Sequence, residues 1–272
     1  MPQLNVCIAL ALSCSVVPAA GAQFESFTAT RVRGYTQQGA DLVESGYAWE
    51  ADARLFGAGN GMTATLTSPG SASPIVMAVE FGTIFRTDRH EFLSELGREA
   101  AFPSGQYQFA YSGGPFPPGA FVADVQYPAF APQPVFVMAD GLATLQSVVP
   151  GMTTTVEVGG TTGGEFFFFW LFDGATQEFV NFGLVSDSGA ASFELPGVYL
   201  NGGQPLLADH EYELRLVLAT VSSQLVDVPI FPHRRDAAQS YLETSIRFTT
   251  VPSPAAVAPL AVLALLRRCR RG

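Results

Sequence analysis

Glu211-Tyr212-Glu213-Leu214-Arg215-Leu216-Val217-Leu218 decides the fold: Tyr212, Leu214, Leu216 and Leu218 take every second position, and Glu211, Glu213 and Arg215 stand between them. Side chains of a strand point alternately to opposite faces, so this period of two makes one face apolar and the other polar. The same alternation recurs along the chain. Tyr47, Trp49, Ala51, Ala53 and Leu55 alternate with Glu50, Asp52 and Arg54; Met62, Ala64 and Leu66 alternate with three threonines. Tyr107, Phe109 and Tyr111 form another such face, as do Phe121, Ala123, Val125 and Tyr127. Segments 75–79, 152–158, 179–185 and 242–248 are further strand candidates. Helical spacing is confined to 88–101, where Phe92, Leu93 and Leu96 can share one face.

The run Phe166-Phe167-Phe168-Phe169-Trp170-Leu171-Phe172 shows no such alternation and is bounded by Gly163-Gly164 and Asp173-Gly174. It predicts a strand buried on both faces or lying at an interface, with the rings either in the core or, if exposed, stacking on a ligand. Trp49 shares its face with Ala51, Ala53 and Leu55, which predicts a core position.

Gly113-Gly114-Pro115-Phe116-Pro117-Pro118-Gly119, then Pro128, Pro132 and Pro134, break any long strand in the middle of the chain. Proline removes a ladder donor, so a sheet ends or changes partner here. A domain boundary is expected near 130–136, giving residues 23–133 and 134–250, each about the size of one sandwich. The expected architecture is all-β: two tandem antiparallel β-sandwich domains, flanked by an N-terminal signal peptide and by a C-terminal short apolar helix with an arginine cluster.

The two halves share a local pattern. Phe102 and Leu207 each stand five residues before a tyrosine, Tyr107 and Tyr212, which Phe109 and Leu214 follow two residues later. This resembles the tyrosine corner of immunoglobulin-like and fibronectin type III-like sandwiches, which implies that each hydroxyl satisfies a backbone group at the turn into a strand. Such a resemblance implies a fold and no activity.

Both ends read as addresses. Residues 1–22 carry no charged side chain, and an apolar stretch leads into Pro18-Ala19-Ala20-Gly21-Ala22. Small residues at Ala20 and Ala22 predict cleavage by signal peptidase before Gln23, although the usual positive n-region is missing. At the other end Val251-Pro252-Ser253-Pro254 precedes twelve uncharged residues, 255–266, and then Arg267, Arg268, Arg270 and Arg271 around Cys269. Twelve residues of helix rise about 18 Å, short of the ~20 residues of a comfortable membrane span, and Pro259 weakens that helix further. The arginines would stay on the cytoplasmic side and leave the body outside. Residues 252–272 resemble the PEP-CTERM sorting signals of exported bacterial proteins, with Ser253 where the family carries glutamate. The resemblance implies handling by an exosortase-like membrane protease; a degraded single-pass anchor is the alternative. Segment 251–272 is therefore expected to be a sorting or anchor signal.

The chain has 272 residues and a net charge of −10, and all 14 basic side chains are arginine. Without the four tail arginines, 10 arginines face 24 acids, a net −14. Such a charge argues against nucleic acid and anionic membranes as partners. It suits solubility, divalent cations or a neutral polysaccharide. The three cysteines, Cys7, Cys14 and Cys269, lie in the terminal segments, so the body has no disulfide and no thiolate nucleophile.

Catalytic constellations are scarce. His90, His210 and His233 form no metal motif, and each is expected at the surface. No Gly-x-Ser-x-Gly elbow occurs. Asp140-Gly141, Asp173-Gly174 and Asp187-Ser188-Gly189 are turn signals before they are calcium loops. The many acids single out no glycosidase pair. The expectation is an exported, non-catalytic structural or adhesion protein of the cell surface or extracellular matrix, with no catalytic, cofactor or metal residues. Its partners would be the two processing proteases and extracellular polysaccharide or envelope proteins. The alternative is a secreted carbohydrate-binding module or polysaccharide-active enzyme, and a smaller possibility is an assembly subunit pairing through sheet edges.

Overall fold

The computed structural model describes residues 24–252, apart from 56–58, 60, 72, 81, 186–188 and 227–233. Four strands of 15 or 16 residues form its spine: β1 (Phe24–Gln38), β2 (Asp41–Leu55), β14 (Glu211–Val226) and β15 (Arg234–Thr249). They lie side by side in the order β14-β15-β1-β2. β1 and β2 form a hairpin turned at Gly39, whose φ of +61° is a left-handed value that a side chain would resist. β14 and β15 pair antiparallel from Glu211↔Thr249 to Val226↔Arg234.

One pair departs from the antiparallel pattern. β1 and β15 run parallel over eleven positions, from Ser26↔Arg235 to Thr36↔Ser245. Parallel neighbours cannot be joined by a tight turn, and here all the chain between the first and last long strands forms the connection. The two ends of the described chain are thereby stitched into one sheet.

That sheet continues on both sides. Beyond β14 come β11 (Phe166–Asp173) and the edge strand β12 (Phe179–Val185). Beyond β2 come β5 (Ile84–Arg86), β4 (Ile75–Glu80), β3 (Met62–Thr67), β7 (Gly105–Gly113) and β8 (Gly119–Val125), while β6 (His90–Phe92) also pairs with β2. The far end curls back: the β8 carbonyls of Val122 and Asp124 accept hydrogen bonds from Arg234 of β15 and Gln224 of β14. A second sheet, β13 (Ser192–Leu195), β10 (Thr154–Gly159) and β9 (Phe136–Val137), carries the short helix α2 (Ala139–Leu145).

Alternation places two cores side by side on one face of the spine. The first gathers Phe27 and Ala29 of β1, Trp49, Ala51 and Ala53 of β2, and Ala238 of β15 under β3, β7 and β8. The second gathers Leu214, Leu216 and Leu218 of β14, Phe167, Phe169 and Leu171 of β11, and Leu242 and Ile246 of β15 under β9, β10 and β13. Between them, where Arg31 and Arg33 of β1 replace apolar residues, three guanidiniums meet one ring. Arg31, Arg33 and the fully buried Arg98 lie 4.5, 4.8 and 5.4 Å from the centre of Phe130, which sits in the proline-punctuated crossing. Glu99 neutralises Arg31 and Arg98, and Glu95 pairs with Arg33. A junction this rich in arginine stays closed because each buried cation has a carboxylate or a ring against it.

Both tyrosine corners form. The Tyr107 hydroxyl donates to the Pro103 carbonyl at 2.9 Å, and the Tyr212 hydroxyl accepts the Leu207 amide at 2.8 Å. Each ring is buried beneath the turn it closes.

The expected helix over 88–101 is corrected. Only Glu95–Ala101 is helical (α1), capped by the Ser94 hydroxyl accepting the Gly97 amide, while His90–Phe92 is the strand β6. The ladder of β2 claims this stretch before the helix can begin. Leu93 and Leu96 are consequently exposed rather than packed on a shared face.

Candidate functional site

The unusual surface is the outer face of the long sheet, opposite both cores. Its side chains are fixed by register, so it can be read row by row. One row runs Leu184, Phe168, Val217, Glu243, Gly34 and Gly46 across β12, β11, β14, β15, β1 and β2. The next runs Phe182, Trp170, Arg215, Ser245 and Thr36. A third begins Phe179, Phe172, Glu213 and Arg247. A fourth is Phe166, Ala219, Tyr241, Val32 and Ala48. The face therefore grades from aromatic at the β12 edge, through Val217 and Ala219, to polar and charged on β15, β1 and β2.

The run Phe166–Phe172 thus alternates after all. Phe167, Phe169 and Leu171 are fully buried in the second core, whereas Phe168, Trp170 and Phe172 are half-buried and Phe166 is 44% exposed. Alternation was invisible in sequence because both faces are apolar. Of the two expected placements, burial on both faces does not occur; the outward rings form a terrace open to solvent.

On β12 the usual size order is inverted. Phe179, Phe182 and Leu184 point outward at 46, 50 and 62% exposure, and the inward positions include Val180 and Gly183. A Cβ on Gly183 would sit 2.3 Å from the Phe169 ring, so the core side tolerates nothing larger. A register shift between Leu171 and Phe172 allows Phe179 and Phe182, three apart, to face the same way. Sequence reading named 179–185 as a strand and missed this terrace. The pattern Phe-Val-Asn-Phe-Gly-Leu, with its large residues around a glycine, was the available signal.

Three pairs of outward rings meet edge to face, while Phe179 and Phe182 lie 6.4 Å apart at 35°. Phe168 and Trp170 lie 5.0 Å apart at 62°, Phe168 and Tyr241 5.5 Å at 76°, and Phe172 and Phe179 6.0 Å at 78°. Arg215 caps Phe172 with its guanidinium 4.4 Å from the ring. These angles suit a knobbed apolar surface better than a flat platform, because a sugar ring stacks on a ring presented face-on.

Beyond Tyr241 the buried Val32 and Ala48 continue one row, and the rows beside it become polar. Gly34 and Gly46 leave a cleft of about 200 Å³ that the Arg89 and Glu243 ion pair, 3.1 Å across, and Phe92 help to line. A wider depression beside it is lined by Thr36, Gln37, Glu213, Ser245 and Arg247. Glu50 and Asp52 share this side of β2 at neighbouring positions of one face. Burial pushes both carboxyls up, Asp52 to about 6, against the opposing pull of Arg86. Their neighbours across the ladder on β1 are Thr30, opposite Glu50, and Thr28, opposite Asp52.

The histidines lie elsewhere. His90 packs beside Trp49 and Phe102, with ring centres 6.0 and 5.3 Å away, and is half-buried rather than at the surface. His210 donates from Nε2 to Asp173 at 2.6 Å and is also half-buried. Asp173 accepts the Ala175 and Thr176 amides as well, and the backbone bond from Thr176, with the histidine, holds its carboxyl below the ordinary range. This is a clip on the turn after β11. Asp140 lies in the first turn of α2. Among the described residues, no group of three or more His, Cys, Asp or Glu converges in a manner suited to a metal ion.

His233, Asp187, and the signal residues Ala20, Ala22, Gln23, Ser253, Pro254, Arg267, Arg268, Arg270 and Arg271 lie outside the described residues. Val251 donates its amide to the Val148 carbonyl at 3.0 Å, and Pro252 is exposed. No described helix is long and apolar enough to cross a membrane.

No family model matches the chain, and no curated protein matches it either. Solved structures similar to it include the chicken CNTN1 FN1-FN3 domains, at 9% identity and a TM-score of 0.22, covering 84% of this chain and 67% of that one. The human OSCAR ligand-binding domain is 14% identical with a TM-score of 0.19, covering 78% of this chain and 97% of that one. Tp47, the 47-kilodalton lipoprotein of Treponema pallidum, is 9% identical with a TM-score of 0.23, covering 83% of this chain, which spans about half (51%) of its length.

Proposed function

We propose that this chain is an exported, non-catalytic structural or adhesion protein of the cell surface or extracellular matrix, and that it works through the outer face of β11 and β12. The carrying observation is the inverted edge strand, with Phe179, Phe182 and Leu184 outward over a glycine. Folding alone is served by putting large apolar residues inside, so their outward placement over a contiguous patch belongs to recognition. Processing at both ends fits the same reading: signal peptidase before Gln23, and an exosortase-like protease acting on the segment from Val251 to the terminal arginines. The division into units 23–133 and 134–250 is part of the proposal, each unit supplying most of one core while Ala238 of β15 reaches into the first.

A second reading, a secreted carbohydrate-binding module, is favoured by the continuity of the aromatic terrace with the polar depressions along β15, β1 and β2. The edge-to-face ring geometry weighs against it. Two measurements decide. Fractionation of the producing cell is expected to recover the processed protein from the envelope or matrix, and recovery only from the cytoplasm would overturn the proposal. Co-sedimentation with a panel of insoluble polysaccharides is expected to show no saturable binding; saturable binding lost in Trp170→Ala would promote the second reading.

A further inference from the structure

We infer that the aromatic terrace of β11 and β12 is a self-association surface, whose occupant is the same terrace on a second copy of this chain. The inference rests on the recognition role proposed for this face and commits to the partner.

Area comes first. An aromatic side chain offers roughly 150–250 Å², so Phe166, Phe179 and Phe182 at about half exposure, Leu184, and the half-buried Phe168 and Trp170 together present about 500 Å². Two such faces bury about 1,000 Å² in total, the size at which a specific interface begins. Apolar sheet faces pack about 10 Å apart with interdigitating side chains, and the knobs and gaps left by the edge-to-face rings are suited to that.

Charge selects the partner. The chain carries −10 overall, so two copies repel across most of their surfaces. Residues 166–185, in contrast, contain only Asp173 and Glu178 as charged side chains, and Asp173 is turned into its clip with His210. This edge is where two acidic chains can meet with little like-charge penalty. A cationic partner would find only Glu178 as an exposed acid on it, and a sugar would find few hydrogen-bonding groups among the rings. Contact between identical patches on two copies is isologous and closes as a two-fold dimer.

Sedimentation equilibrium of the full chain from about 1 to 100 µM is the test, with Phe182→Glu and Leu184→Glu as disrupting variants and Val76→Glu as control. Val76 is 75% exposed on β4, away from the terrace. The wild type and Val76→Glu are expected to dimerise, more tightly as salt rises because screening relieves the repulsion. Each terrace variant is expected to be monomeric throughout, with the thermal transition of a dilute sample unchanged. Because Phe182 and Leu184 are half or more exposed, the two variants guard each other against a folding artefact. A wild type that is monomeric at the highest concentration overturns the inference. So does a dimer that both terrace variants leave intact, which would place the contact elsewhere or assign it to the C-terminal segment. A monomer would leave a surface role standing, and a dimer found only in cytoplasm would sink that role while leaving the interface.

Discussion

Trp49 and Trp170 occupy strands of the same sheet and meet opposite fates. Trp49 is wholly buried, stacked on Phe102 at 3.8 Å and 2°, with its indole donating to the Tyr127 hydroxyl at 2.5 Å. Trp170 is half-buried, meets Phe168 edge to face, and lies between Arg215 on β14 and Phe182 on β12. The first is held by everything a core supplies: a parallel ring, a hydrogen-bond partner and no water. The second has a neighbour on each side and an outer edge partly open to solvent. One sheet thus carries a finished face and an unfinished one.

The largest expected effect tests that contrast directly. Trp49→Ala should cost about 3–5 kcal/mol, the usual loss for a buried large aromatic residue. Trp170→Ala, measured in dilute protein, should cost about 1–2 kcal/mol, because its half-buried ring loses less apolar contact than a core ring. Urea unfolding of the two variants gives both numbers. Equal losses would break the comparison and make the terrace part of the core; a loss at Trp170 that appears only at high concentration would sharpen it.

The sequence reading found the finished face with ease and the unfinished one hardly at all. Tyr47 to Leu55 and Tyr212 to Leu218 alternate apolar with polar, so both the strand and its buried side are written in the residue types. Phe166 to Phe172 is apolar on both sides, so residue type identifies a strand and leaves its orientation undetermined. The β1 strand escaped notice because Arg31 and Arg33 stand on its core-facing side, stabilised by Phe130 and by Glu95 and Glu99 of α1, and such distant partners leave no local signal. The parallel pairing of β1 with β15 escaped for the same reason, since its partners lie 209 positions apart. The tyrosine corners, by contrast, are local, and their spacing was enough.

Those two corners offer the next test. At Tyr212 the hydroxyl accepts the Leu207 amide and lies 3.2 Å from the Tyr199 hydroxyl, so Tyr212→Phe leaves a backbone donor without its acceptor. The expected cost is about 1–3 kcal/mol. At Tyr107 the hydroxyl donates to the Pro103 carbonyl, which can turn to water at its half-exposed turn, and lies 3.3 Å from the Tyr127 hydroxyl. Tyr107→Phe therefore spares the backbone but takes a partner from Tyr127 and should cost about 1–2 kcal/mol. Thermal unfolding that ranks Tyr107→Phe as the more damaging would show that the two corners are not equivalent supports of their respective cores.

Two aspartates extend the comparison to pH. Burial among the rings and polar groups of the outer face raises the Asp52 carboxyl from 3.8 to about 6, so the folded chain holds a proton that the unfolded chain would release. The native state therefore loses stability as pH climbs from about 4 through about 6, and Asp52→Asn should recover about 1–2 kcal/mol at pH 8, after allowance for partial exposure. At pH 4 the same substitution should change little. Asp173 has the opposite sign: its carboxyl is held low by the Thr176 amide and His210, so its contribution is present above the ordinary carboxylate pKa and is lost as pH falls through its lowered value. Asp173→Asn should accordingly destabilise at neutral pH and converge with the wild type in acid. Denaturant titrations of the two variants at about pH 2, 4, 6 and 8 should show the Asp173→Asn deficit opening between about pH 2 and 4 and staying level above, and the Asp52→Asn gain opening between about pH 4 and 8. Parallel curves would mean that Asp52 is solvated in the folded chain, and the outer face would then be wetter, and less suited to a dry apolar contact, than its rings imply.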